Sequence, residues 1–138
     1  MKKSLLSLAV LALMATAAHA QNMTANPVQF NGPAPTNLRY IKVTGTVTIP
    51  AGWSFTNATL EVGTLDNLGK FTPSNAFVQK ELTFADFNMG AYEHIFTNPA
   101  TPGTYAIRAI AHGTKPAFPR AKEWTFALTP CPTVAIAN

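Results

Sequence analysis

Outside its first twenty residues the sequence carries two histidines, His94 and His112, six carboxylates, Glu61, Asp66, Glu81, Asp86, Glu93 and Glu123, and one thiol, Cys131. Catalysis needs titratable groups brought together, and this spacing gathers few. Ser54 and Ser74 would each need a histidine as base, and neither lies in a GxSxG elbow. Paired carboxylates for glycoside hydrolysis can be drawn among any six acids, but nothing in their spacing favours a pair. Glu93 and His94 are neighbours, so on a strand they point to opposite faces and cannot share one ion. Imidazole and thioether suit copper, which makes His94, His112, Met23 and Met89 the one metal set to weigh against ordinary surface histidines. There is no Gly-rich phosphate loop and no basic–aromatic alternation of the nucleic-acid kind. The sequence therefore predicts no catalytic residue, no cofactor and no nucleic-acid partner.

Aromatic residues in loops are the other source of specific interaction. Trp53 lies in "AGWSF" with Phe55 beside it, and Phe118 lies in "KPAFPRA", between Pro116 and Pro119 and between Lys115 and Arg120. As plugs, these rings would close the ends of an apolar core. Left in water, they would be rigid apolar anchors with cationic neighbours, the residue types that dominate interface energy. Trp53, Phe55, Lys115, Phe118 and Arg120 are the candidate binding residues on the second reading. Cys131, in "TPCPTVAIAN", has no intrachain partner to oxidise with. It is either an unpaired thiol in a loose tail or the bridge to a second copy or partner.

The chain opens with "MKKSLLSLAVLALMATAAHA", where Lys2 and Lys3 precede an apolar run from Leu5 to Ala15 and the small residues Ala18-His19-Ala20 follow. That order is a secretory signal peptide cut after Ala20. An apolar run of about 11 residues is too short to cross about 30 Å of hydrocarbon, so stable membrane insertion is not expected. Localisation is predicted to be secreted or periplasmic. The formal charge of +4 includes Lys2 and Lys3; without them eight cations face six acids, a net +2. Such a nearly neutral chain does not carry the charge footprint of a nucleic-acid binder.

The elements that must position these residues read as strands. In "LRYIKVTGTVTIP", Ile41, Val43, Gly45, Val47 and Ile49 share one parity, and Pro50-Ala51-Gly52 closes the run. Ala58, Leu60 and Val62 alternate with Thr59 and Glu61. Tyr105, Ile107, Ala109 and Ala111 alternate with Thr104, Arg108 and His112. Trp124, Phe126 and Leu128 alternate with Glu123, Thr125 and Ala127. Segment 91–97 is strand-like with apolar residues on both faces. Segment 76–87 puts Val78, Leu82 and Phe84 on one parity and Phe77 on the other, and reads as one bulged strand, two short pieces or a helical turn. About seven strands and no amphipathic helix predict an all-β, antiparallel sandwich over 38–129. Residues 21–37 are expected to be an extended Pro/Asn-rich lead-in, with an edge strand at 28–30, and 130–138 a flexible tail.

Three stretches, "VTGTVTIPAG", "EHIFTNPATPGTYAIRAIAHG" and "KEWTFAL", resemble the second strand, the fifth-to-sixth strand corner and the closing strand of bacterial immunoglobulin-like and fibronectin type III-like domains. The resemblance covers about half of the chain after residue 20. It implies that Pro102, Gly103 and Tyr105 form a corner in which the tyrosine buries its ring and returns its hydroxyl to a nearby carbonyl. Ile107 stands where antibody domains have a cysteine, and the core tryptophan of those domains is missing, which points to the bacterial or fibronectin-type branch. The implied function is a non-catalytic binding or adhesion module that meets a protein or glycan surface through end loops or a sheet edge. Two alternatives stand beside it. One is a self-assembling fibre or pilus-like subunit that lends its lead-in to a neighbour, with Cys131 available for homo-assembly. The other is a carbohydrate- or copper-binding accessory protein.

Overall fold

A computed structural model describes residues 23–138, so the export segment and its cleavage after Ala20 lie outside the described residues. Strand β1 (Asn26–Asn31) pairs with β2 (Arg39–Thr46), which pairs with β6 (Ala91–Ile95), giving a three-stranded sheet. The second sheet is built on two long strands, β3 (Ser54–Leu65) and β7 (Gly103–Lys115), paired from Ser54↔Thr114 to Gly63↔Ala106. Along the free side of β3 run β4 (Phe71–Pro73) and β5 (Lys80–Leu82). Along the free side of β7 run β8 (Lys122–Ala127) and β9 (Thr133–Ile136). Every pairing is antiparallel. The protein is an all-β antiparallel sandwich; the nine strands of the described residues lie along seven ribbons, because β4/β5 and β8/β9 are interrupted edges.

Period-two alternation fixes which residues meet between the sheets. Ile41 and Val43 from β2 and Tyr92 from β6 face Ala58, Leu60 and Val62 from β3 and Ile107, Ala109 and Ala111 from β7, all buried. Trp124, Phe126 and Leu128 extend this core at its rim. Gly45 is required by close approach: a Cβ there would collide with the Thr24 carbonyl and lie 2.6 Å from the Tyr92 hydroxyl. That hydroxyl donates to the Thr24 carbonyl at 2.7 Å, tying the chain ahead of β1 to β6 across β2.

One expectation needs correction, and one open reading is decided. Residues 130–138 are not a loose tail: β9 pairs with Gly103–Ala106 and buries Val134 and Ile136, so the sandwich closes with the last residues of the chain. Across 76–87, left open between one bulged strand, two short pieces and a helical turn, a short strand and a helical turn form. Phe77 and Leu82 are buried while Val78 and Phe84 are exposed, because β5 covers only three residues and a 3₁₀ turn over Phe84–Asp86 re-aims the chain. The lead-in does contain an edge strand, six residues long and paired within its own chain.

Candidate functional site

Strand directions sort the connections into two ends. At one, called here the loop end, β2 runs through Val47–Trp53 into β3, the 3₁₀ turn leads through Asn88–Gly90 into β6, and β7 turns through 116–121 into β8. The first of these connections is tied to each of the other two. Val47 N–H donates to the Gly90 carbonyl at 2.9 Å, and the Lys115 ammonium lies 5.7 Å from the centre of the Trp53 ring. The registers that pair Ser54 with Thr114 and Thr46 with Ala91 hold these loops side by side.

All five candidate binding residues, Trp53, Phe55, Lys115, Phe118 and Arg120, fall at this end, in two different roles. Phe55 is a plug, half-buried and edge-on to Phe87 at 5.1 Å. Trp53 is half-buried beside Lys115. Phe118 is 97% exposed at the tip of its hairpin, with exposed Arg120 and Lys122 following. None of Lys115, Arg120 or Lys122 takes part in an ion pair among the described residues.

The sequence reading missed the other half of this surface. Phe84 is 80% exposed and Met89 fully exposed on the connection into β6. Beside Phe84 an apolar cleft of about 120 Å³ opens between Val47, Ile49, Phe55, Phe87 and Gly90. Met89 and Gly90 both have positive φ, 54° and 82°, and Asn88 and Ala91 exchange backbone hydrogen bonds around them. Asn-Gly or Gly-Gly is the usual choice for such a turn, so a methionine in its first central position is a conformational cost. The string "NMG" was the available signal. Asp86, the one acid in this connection, accepts from the Thr83 N–H at 2.7 Å and lies 3.7 Å from Lys80; the Thr83 bond first, and then Lys80, lower its pKa against the opposing effect of burial.

Pro102, Gly103 and Tyr105 lie at the opposite end and make a corner. The Tyr105 hydroxyl donates to the Thr101 carbonyl at 2.9 Å and lies 2.9 Å from the Thr101 hydroxyl, while its ring meets Phe77 edge-on at 5.7 Å. Gly103 has φ +146°, a backbone shape that side chains resist.

The copper candidates do not converge. Met23 is buried in the core, Met89 is in solvent, His94 on β6 packs on Phe96 at 4.7 Å, and His112 stands on the outer face of β7, 3.4 Å from the Thr125 hydroxyl. Burial, and secondarily the charge of Lys80, lower the pKa of His94 against the opposing pull of Asp86. Burial raises the Cys131 thiol, partly offset by Arg108. Arg108 itself pairs with Glu61 at 2.6 Å and lies over the Phe71 ring at 4.6 Å, a cross-strand cluster on the outer face of β3 and β7. Nearby, a groove of about 310 Å³ runs over Asn57, His112, Glu123 and Thr125. No helix among the described residues is long and apolar enough to cross a membrane. No protein-family model, curated protein or solved structure matches the chain.

Proposed function

We propose that this protein is a non-catalytic, exported binding module of the immunoglobulin-like or fibronectin type III-like kind that engages its partner through the loop end. What supports the likeness is strand order. In immunoglobulin sandwiches the first, second and fifth strands share a sheet opposite the third, sixth and seventh. Counting β4/β5 and β8/β9 as one ribbon each, β1, β2 and β6 lie together here opposite β3, β7 and β8/β9.

One observation carries the functional reading. Among the described residues, four large apolar side chains are at least 80% exposed; Phe84, Met89 and Phe118 share the loop end and Leu68 lies elsewhere. Single exposed apolar residues need no explanation, but a gathering at one end of a sandwich marks an interaction surface.

The test places a photo-cross-linking amino acid at position 118 or, as control, at position 68 of the protein exported in cells. Covalent adducts from position 118 that are absent from position 68 are expected. Equal labelling from both positions, or none from either, overturns the assignment of the loop end.

A further inference from the structure

The loop end joins apolar tips to unpaired positive charge. Phe118, Phe84 and Met89 project from two connections, and Lys115, Arg120 and Lys122 flank Phe118 without an ion-pair partner among the described residues. Connections 47–53 and 116–121 contain no acid, and Asp86 is already held by Thr83 and Lys80. Phe118 and Met89 stand out from the surface and line no pocket, and Phe84 stands at the side of a cleft of only about 120 Å³. Protruding rings need matching cavities in a protein partner, whereas a fluid interface closes around them unaided. Residues with this division of labour, apolar tips inserted and cations at phosphate depth, bind anionic bilayers peripherally. The segment ahead of β1 also joins the fold at this end, where Met23 bridges Val47.

We propose that the loop end is a reversible docking surface for an anionic lipid bilayer, with Phe118, Phe84 and Met89 entering the boundary between headgroups and acyl chains and Lys115, Arg120 and Lys122 contacting lipid phosphates. This rests on the reading of the loop end as the binding end and names its partner. It is peripheral attachment, with no segment crossing the bilayer.

The experiment is co-sedimentation of the exported protein with vesicles of phosphatidylglycerol and phosphatidylethanolamine, and with vesicles of phosphatidylcholine alone. Binding to the anionic vesicles only is expected. It should fade as salt shortens the screening length from about 10 Å at 0.1 M to about 3 Å at 1 M. Each of Lys115→Gln, Arg120→Gln and Lys122→Gln should weaken it about fivefold, and the triple variant about a hundredfold. Phe118→Ser and Met89→Asn should weaken it with the fold intact, and Leu68→Ser should leave it unchanged. In Phe118→Trp the added indole should shift its emission to shorter wavelength on anionic vesicles. No sedimentation with anionic vesicles at low salt overturns the proposal, as does binding indifferent to Phe118→Ser and Met89→Asn, or a dimer that buries Phe118. Protein adducts from position 118 without vesicle binding would overturn the bilayer and leave the loop-end reading standing; absence of both would overturn the two together.

Discussion

Tyr105 and Met89 are held in defined places for opposite reasons. The Tyr105 hydroxyl donates to the Thr101 carbonyl at 2.9 Å while its ring packs against the core, so one side chain fastens the corner to the start of β7. Tyr105→Phe keeps the ring and removes the bond, and a net cost of about 1 kcal/mol is expected in denaturant unfolding; an unchanged midpoint would show that the hydroxyl contributes nothing. Met89 is the converse, a fully exposed side chain at φ 54° with no packing to offset that conformation. A left-handed residue with a Cβ costs about 1–2 kcal/mol, less for asparagine, whose amide bonds locally. Met89→Asn should therefore raise stability, by about 0.5–1 kcal/mol, measured by the same unfolding midpoint. A drop in stability would mean that the methionine packs in solution and is not offered to a partner.

Among the elements, the long strands were legible and the short ones were not. Strands β2, β3 and β7 carry enough alternating residues to declare a face, and Ile41, Val43, Leu60, Val62, Ile107 and Ala109 are buried where their parity put them. Strands β4 and β5 have three residues each and β9 has four, too few for a period to stand out from chance. Their conformation is set by β3 and β7, which outrun any single neighbour and leave ladder positions that short pieces fill. The two halves of the loop end show the same division. Phe118 announces itself between two prolines, whereas the exposure of Phe84 depends on where β5 stops, which only its pairing with Ala58–Leu60 decides. Strand β9 gives the sharpest check. Ile136 is 4% exposed, so Ile136→Ala should cost about 2–5 kcal/mol. A residue in a free tail would cost under about 0.5 kcal/mol, and urea unfolding separates the two outcomes.

For the molecule as a whole, the first strand decides between a self-contained domain and an assembling one. Strand β1 fills the edge of β2 over six paired residues, the segment ahead of it buries Met23 and Ala25, and the Gln29 side chain accepts from the Ala137 N–H at 2.8 Å. Strand β1 and the residue after β9 thus clasp each other. A fibre that passes this strand to a neighbour must first remove it from its own sheet, and the seven-residue connection over 32–38 keeps it close to the slot it would leave. A short flexible tether holds a segment at an effective concentration of about a millimolar, so exchange between copies competes only when the protein itself approaches that range. The intact protein is accordingly expected to elute as a monomer in size exclusion at all lower concentrations. Removing residues 21–31 strips the buried Met23, worth about 1.5–3 kcal/mol, and a whole ladder from a domain whose total stability is about 5–15 kcal/mol. The shortened chain should lose its cooperative unfolding transition, and a synthetic peptide of residues 21–31 added in trans should restore it. A shortened chain that folds as a monomer unaided would show that β1 is dispensable, and an intact protein that forms concentration-dependent oligomers far below a millimolar would favour strand exchange over the self-contained domain.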